Sequence, residues 1–270
     1  MKHPTTLSDR GDSNLQTQTQ TVSRALDILE VFLDYGPEIG LSEVSRLVQL
    51  NKATAYRILS TLEGRGYVVR SPENRKYRLG VRTFELGSYF QSQIELRRIA
   101  IPEMQTMVAE TSEAAFLCVR EGDEALCIER VEALHEVNIF TLRVGGRQPL
   151  HCGGAPRALL ADLDEHELEG YARRTRLPAV TPFTLNRLDQ LLADVRHTRQ
   201  QGYAFSANDV VLGISALGAP IYGYEDKVVA SISLSGLSNR FEGEHLQLLV
   251  KILTAAARHL SLAIGGRNER

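Results

Sequence analysis

Apolar residues recur every three to four positions between residues 21 and 66, and beyond residue 66 the spacing changes to alternation. Val22, Ala25, Leu26, Leu29, Val31, Phe32 and Leu33 predict a helix over residues 21–34, stopped by Tyr35-Gly36-Pro37. Residues 41–66 predict two short helices joined by a tight turn. Ser42 suits the N-cap of the first, with Val44, Leu47 and Val48 as its apolar stripe. Asn51 suits the N-cap of the second, where Ala55, Ile58, Leu59 and Leu62 must face inward. The other side of that helix then carries Lys52, Thr54, Tyr56, Arg57, Ser60 and Thr61. Such a row of hydrogen-bonding and cationic groups on a rigid rod fits the major groove of DNA. Two β-type runs, residues 67–70 and 76–79, flank Ser71-Pro72-Glu73-Asn74 and predict a hairpin. A hairpin directly after a helix-turn-helix is a wing, whose tip can lie along the phosphate backbone.

Further on, residues 81–93 carry Phe84, Leu86, Tyr89 and Phe90 at helical spacing, interrupted only by Gly87. This connector is a candidate dimerisation surface, or else packs on its own domain. Residues 96–111 predict the helix that opens a second domain. Residues 114–132 predict a hairpin, and residues 135–145, 202–205, 214–222 and 227–236 further strands. Residues 156–163, 185–200 and 244–264 predict helices. The expectation is an antiparallel α+β sandwich with its helices to one side. The domain plan is a disordered tail at 1–20, a DNA-binding domain at 21–80, a linker helix at 81–95 and a binding domain at 96–266.

Charge sharpens this picture. Residues 46–82 hold nine basic residues against Glu63 and Glu73, a net of +7, which leaves −9 for the remainder of a chain whose total is −2. Such asymmetry is what a local polyanion-binding face requires. Arg24, near the start of the first helix, is within reach of a phosphate or is an ordinary surface arginine; Arg75 and Lys76 sit at the wing tip. The polar N-terminus lacks a signal pattern and no apolar run of about 18 residues occurs, so a cytoplasmic address without a membrane span is expected. Three cysteines without a C-x-x-C pair exclude a zinc ribbon or disulfide scaffold. Cys118 and Cys127 flank the Gly122-Asp123 turn symmetrically, which places them opposite each other in a non-hydrogen-bonded pair. Two reduced, buried thiols are expected there rather than a redox switch.

Candidate chemistry in the second domain centres on residues 145–163. Gly153 and Gly154 bring bare backbone to a helix start, with Pro156 in its first turn, suited to a carboxylate or phosphate or simply to a tight turn. Ser233 and Ser235, on one strand face, can add hydroxyls to the same cavity. Catalysis fares poorly: residues 213–218 are not a G-x-S-x-G elbow, His151 and Cys152 point apart as neighbours, and no histidine spacing suits a metal. No cofactor, no metal and no catalytic residue are expected.

Taken together, these residues resemble the IclR (isocitrate lyase regulator) family of bacterial transcription factors over residues 21–266. Residues 50–59, LNKATAYRIL, are similar to the family's L-P-K-S-T-x-x-R-L-L, and Pro149-Leu150-His151 with Pro156-Arg157-Ala158 to its P-[LM]-H-x-x-x-x-G-K-A stretch. Residues 202–222 approximate its C-terminal signature. Departures are Asn51 and Ala53 for Pro and Ser, Pro156-Arg157 for Gly-Lys, Asp209 for Glu, and Gly223 for Asp or Asn. The resemblance implies a winged helix-turn-helix, a linker helix and a GAF/PAS-like antiparallel sheet with flanking helices. It implies homodimers through the DNA-binding half, pairing further into tetramers, on a palindromic operator. DNA contacts are then assigned to Arg24, Ser42, Lys52, Thr54, Tyr56, Arg57, Ser60, Arg75 and Lys76. Matching positions for a bound organic acid are Gly154 and Ala155 by backbone, Ser233 and Ser235 by hydroxyl, and Val137, Phe140 and Ile214 as apolar wall. Ser206 and Ala216 stand where two polar members of that cluster occur, which favours an aromatic or larger aliphatic carboxylate. The expected function is a repressor of a catabolic operon; the alternatives are an activator of an adjacent operon, an effector-free architectural DNA-binding protein, and a metabolite-binding enzyme with an accessory DNA-binding-like module.

Overall fold

Helix α1 (Gln20–Tyr35) turns Ile28, Val31 and Phe32 inward and stops at Gly36, whose φ of 109° only glycine adopts readily. Its remaining apolar residues do not share that face: Val22, Leu26 and Leu33 are more than half exposed. Helix α2 (Leu41–Leu47) begins after Gly40. Ser42 is therefore not the N-cap; the chain is already helical at Leu41, so Ser42 lies exposed in the first turn. Helix α3 (Lys52–Gly64) is capped as its sequence requires, the Asn51 side chain accepting the Thr54 N–H at 2.8 Å, an interaction worth about 1 kcal/mol. Between the helices the Ser45 hydroxyl donates to the Leu50 carbonyl at 2.6 Å and fixes the turn.

The wing consists of β1 (Val68–Arg70) and β2 (Tyr77–Leu79), antiparallel, with Val68 opposite Leu79. Ile39 bridges Tyr77 on the outer edge of β2, with both backbone bonds at 2.9 Å. Val44, Ala55, Leu59, Val68 and Tyr77 are fully buried, so three helices and the wing share one small core.

The computed structural model describes residues 19–93, 95–133 and 142–266. It separates into two compact units, ending at Phe90 and beginning at Gln91, and helix α4 (Val81–Gln93) runs across that division. Residues 1–18 of the expected tail and most of the strand expected at 135–145 lie outside the described residues, while Gln20 already belongs to α1.

In the second unit a helix, α5 (Glu95–Thr111), precedes strands β3 (Ala114–Glu121), β4 (Glu124–Val131) and β5 (Arg147–Pro149). Helices α6 (Gly154–Ala158), α7 (Glu165–Thr175) and α8 (Leu188–Gln201) follow. The chain closes with β6 (Ala204–Ala207), β7 (Ile214–Tyr222), β8 (Val228–Leu237) and α9 (Gly243–Ala263). The strands form one antiparallel sheet in the order β5-β4-β3-β8-β7-β6.

Helices cover both faces of this sheet, not one. Met104 and Met107 of α5 and Leu249, Leu253 and Leu260 of α9 pack on Leu117, Leu217, Ile232 and Leu234. On the opposite face α6, α7 and α8 pack on Phe116, Cys118 and Cys127. The physical reason is visible in β3, where residues 115–118 are all apolar and fully or almost fully buried, so neither face can be left to water.

The sequence reading passed over α7, although Asp164 and Glu167 form a reciprocal capping box at its start. On α9 Ala263 is exposed, whereas Ser261 is buried, accepting the Tyr222 N–H at 3.0 Å and donating to the Ala257 carbonyl at 2.7 Å. Cys118 and Cys127 face each other across the hairpin as free, buried thiols, and the Cys127 backbone bonds turn away to Gly145 and Gly146. The hydrogen bond to Cys127, and then burial, push the Cys118 thiol well above its ordinary range, so it stays protonated.

Candidate functional site

Two polar constellations emerge, one in each unit. The first lies on α3, a 13-residue rod about 20 Å long. Burial of Ala55, Ile58 and Leu59 against the core fixes the rotation of the helix, and that rotation leaves Lys52, Tyr56 and Arg57 exposed and Thr54 and Ser60 half-buried. Thr61 returns its hydroxyl to the Arg57 carbonyl at 3.0 Å, which takes it out of the row.

At the wing tip the Asn74 side chain accepts the Lys76 N–H at 2.9 Å and donates to Glu38 at 2.8 Å. This holds the hairpin end while Arg75, at a φ of 58°, and Lys76 project exposed. Arg70 instead lies over the Tyr77 ring at 5.5 Å and donates to the Arg75 carbonyl, so it braces the wing. Ser42 is exposed on α2 and Arg24 half-buried on α1.

The second constellation surrounds a cleft between α6 and the sheet. Helix α6 can approach the strands because two glycines meet. A Cβ on Gly218 of β7 would overlap the Gly154 carbonyl, and one on Gly154 would press on the Leu217–Gly218 peptide. The Ser231 hydroxyl donates to the Ala155 carbonyl at 2.8 Å and ties α6 to β8. The glycines therefore serve close packing as well as the turn at Gly153, whose φ is 86°.

Gly154, Ala155, Ser206, Ile214, Ala216, Ser233 and Ser235 all line this cleft. Val137 and Phe140 lie outside the described residues. Phe116, Leu142, Gln148, Asp209 and Val210 also line it and were missed. Phe116 was legible only as an inward strand position, Asp209 only as a departure from a motif, and Gln148 gave no signal.

Not every lining group is available to a ligand. Ser206 donates its hydroxyl to Asp209 Oδ1. Asp209 Oδ2 accepts the Gly153 N–H at 3.1 Å and Arg157 Nη1 at 3.2 Å. Arg157 is also held by both carboxylate oxygens of Asp194 on α8. Burial works against the Arg157 charge, but the hydrogen bonds and charges of Asp194 and Asp209 outweigh it and raise its pKa. Ser235 donates to the Ser215 carbonyl at 3.2 Å, a long bond. Ser233, buried beside it, has no hydrogen-bond partner for its hydroxyl among the described residues.

The residues that looked most like catalysts are committed elsewhere. His151 is fully buried, its Nε2 3.1 Å from the Pro178 carbonyl and its Nδ1 2.7 Å from the Tyr171 hydroxyl. Because a carbonyl only accepts, Nε2 carries the proton and Nδ1 accepts from Tyr171. Burial lowers the His151 pKa, so this neutral tautomer is the folded form. Burial likewise pushes the Cys152 thiol up to about 12. Among the described residues no three His, Cys, Asp or Glu side chains form a metal-binding group.

The model of the IclR helix-turn-helix domain matches residues 21–72, and that of the bacterial transcriptional regulator IclR C-terminal domain matches residues 89–262. The transcriptional regulator KipR of Bacillus subtilis is 32% identical over 251 residues, 93% of this chain and 99% of that protein. The transcriptional repressor IclR of Escherichia coli is 29% identical, covering 92% of this chain and 91% of its own. A solved IclR transcriptional regulator from Alicyclobacillus acidocaldarius superimposes with a TM-score of 0.82 at 26% identity, covering 92% of this chain and all of that one. An IclR homologue from Microbacterium hydrocarbonoxydans, complexed with 4-hydroxybenzoate, gives 0.80 at 25% identity, covering 90% and 98%.

Proposed function

The chain belongs to the IclR family of bacterial transcriptional regulators, and from that premise we propose that it is an acid-responsive repressor acting in the cytoplasm on a palindromic operator. In this reading α3 enters the major groove with Lys52, Thr54, Tyr56, Arg57 and Ser60. Arg75 and Lys76 at the wing, Ser42 and Arg24 contact phosphates. A homodimer supplies the two recognition helices. The exposed stripe of Val22, Leu26 and Leu33 on α1, with Phe84, Tyr89 and Phe90 on α4, supports an apolar seam within the DNA-binding unit.

The cleft beside α6 holds a small organic acid, with Phe116, Leu142, Val210 and Ile214 suited to an aromatic or larger aliphatic body. The observation that carries the sensor half is the Ser233 hydroxyl, without a hydrogen-bond partner among the described residues, in a cleft whose carboxylate, Asp209, is already paired with Arg157. Such a site binds and does not transform: neither Cys152 nor His151 lines it, and both nitrogens of His151 are occupied by Tyr171 and Pro178. The acid shifts the operator equilibrium only as far as it favours one dimer geometry over the other.

The test is fluorescence anisotropy on DNA flanking the protein's own gene. Affinity should fall with salt at a log–log slope of about −0.9 per phosphate contacted, and an aromatic acid such as 4-hydroxybenzoate should shift it. Binding that ignores ionic strength removes the DNA reading. Absence of any effect across a panel of organic acids removes the effector reading.

A further inference from the structure

Two polar side chains that line the cleft, Gln148 and Ser233, are left open by the protein. The others are committed: Ser206 and Arg157 hold Asp209, Ser215 donates to the Ser238 hydroxyl at 2.9 Å, and Ser235 donates to the Ser215 carbonyl. Gln148 lies on β5 opposite Ala125 of β4 and is only 8% exposed. Its side-chain amide has no hydrogen-bond partner among the described residues. The turn at Gly153 leaves room for it. A Cβ added to Gly153 would lie 3.0 Å from Gln148 Nε2 and 3.4 Å from Val210 Cγ2, so the amide stands beside that glycine and the Val210 wall.

A primary amide taken nine-tenths out of water without a partner is costly to keep unless something entering the cleft meets it. Charge narrows what that is. Among the described residues that line the cleft there is no Lys, Arg or His, and the Asp209 carboxylate is already paired. A carboxylate buried there must therefore be met by neutral donors. Gln148 offers two N–H groups and Ser233 one O–H.

We propose that Gln148 is a specificity residue of the cleft, donating its amide N–H groups to the carboxylate of the bound acid. This rests on the effector reading above and names how the acid is recognised: by hydrogen-bond donors, not by a cation. Gln148 is well suited to the task because its amide is free of the cluster that holds α6 in place. Arg157, by contrast, is bound to Asp194 and Asp209 and has a structural load to carry. Replacing Gln148 should therefore alter ligand choice without loosening the fold.

The experiment measures two acids and their uncharged amides on the full-length protein by calorimetry, with thermal melts of each ligand-free variant. The probes are 4-hydroxybenzoate with 4-hydroxybenzamide, and 3-phenylpropanoate with its amide. Gln148→Met keeps the length of the side chain and removes its donors. It should weaken the bound acid by about tenfold or more, the worth of a hydrogen bond to a charged group, and leave the melting temperature unchanged. Gln148→Glu puts a negative acceptor where the donors were. It should weaken the acid further than Gln148→Met does and the amide less than the acid, since an amide can donate to the new carboxylate. Acid affinity unaltered by Gln148→Met, or an acid-to-amide ratio unaltered by Gln148→Glu, overturns the proposal and leaves the effector reading standing. A Gln148→Met protein that melts markedly lower, or fails to fold, also overturns it, because the amide then has a structural partner. Wild-type protein that binds none of the four probes overturns both readings.

Discussion

Arg57 and Arg157 show how differently the two units use one residue type. Arg57 projects from α3 into solvent without an ion-pair partner among the described residues, on a helix whose rotation is fixed by Ala55, Ile58 and Leu59. Arg157 is 6% exposed and clamped between Asp194 and Asp209, where it holds the cleft together. An exposed cation is cheap to maintain and is read by salt-sensitive association. A buried one is tolerated only because its partners are geometrically fixed, and its removal leaves two carboxylates without compensation. In the proposed reading the DNA-binding unit keeps its recognition chemistry outside its core, whereas the effector unit builds recognition into the core.

The contrast is broken most severely at Arg157. Arg157→Met should destabilise the effector unit by about 3–5 kcal/mol, seen as a lower urea midpoint, with the first unit's unfolding little changed. A loss below about 1 kcal/mol would mean the cluster is solvated and the comparison mistaken. Next in size, Arg57→Ala should weaken operator binding by about 1–3 kcal/mol while acid affinity and thermal stability hold. An unchanged anisotropy titration would take Arg57 out of the groove.

Ser233→Ala sharpens the picture within the cleft. It should reduce acid affinity by about 0.5–1.5 kcal/mol and leave the affinity of the acid-free protein for DNA as it was. If DNA binding fell instead, the hydroxyl would be structural.

The smallest effect concerns protons. Burial lowers the His151 pKa below the ordinary 6.5, so the unfolded chain holds the proton more tightly than the fold does. Stability from the neutral ring is complete above that value and declines as pH falls below it. Urea midpoints measured down to about pH 5.5 should decline less in His151→Gln than in wild type; equal slopes would assign the decline to other groups.

Legibility differed between the units for the same reason their chemistry does. In the first, Asn51 caps α3 and Ala55, Ile58 and Leu59 are buried where helical spacing put them. Where a short element has a buried side, the remaining residues turn toward solvent, so the proposed reading face follows from periodicity. The error at Ser42 was of two residues, since Gly40 also satisfies the geometry of a helix start.

In the second unit, hairpins and the serine alternation of β8 were legible. The helices on both faces were not weighed, although the unbroken apolar run of β3 required them. Helix α7 carried its own capping signal and was overlooked.

By itself the sequence determined what depends on neighbours a few residues apart: helix caps, inward stripes, the hairpin turn that sets Cys118 opposite Cys127, and the local excess of positive charge. Only tertiary structure decided what depends on residues far apart in the chain. Arg157 meets Asp194 and Asp209 across 37 and 52 positions, Gly154 meets Gly218 through bare backbone, and the Ser231 hydroxyl reaches the Ala155 carbonyl. Hydrogen bonds, ion pairs and steric fit act over a few ångströms of space. No spacing along the chain encodes them until the sheet order has brought those residues side by side.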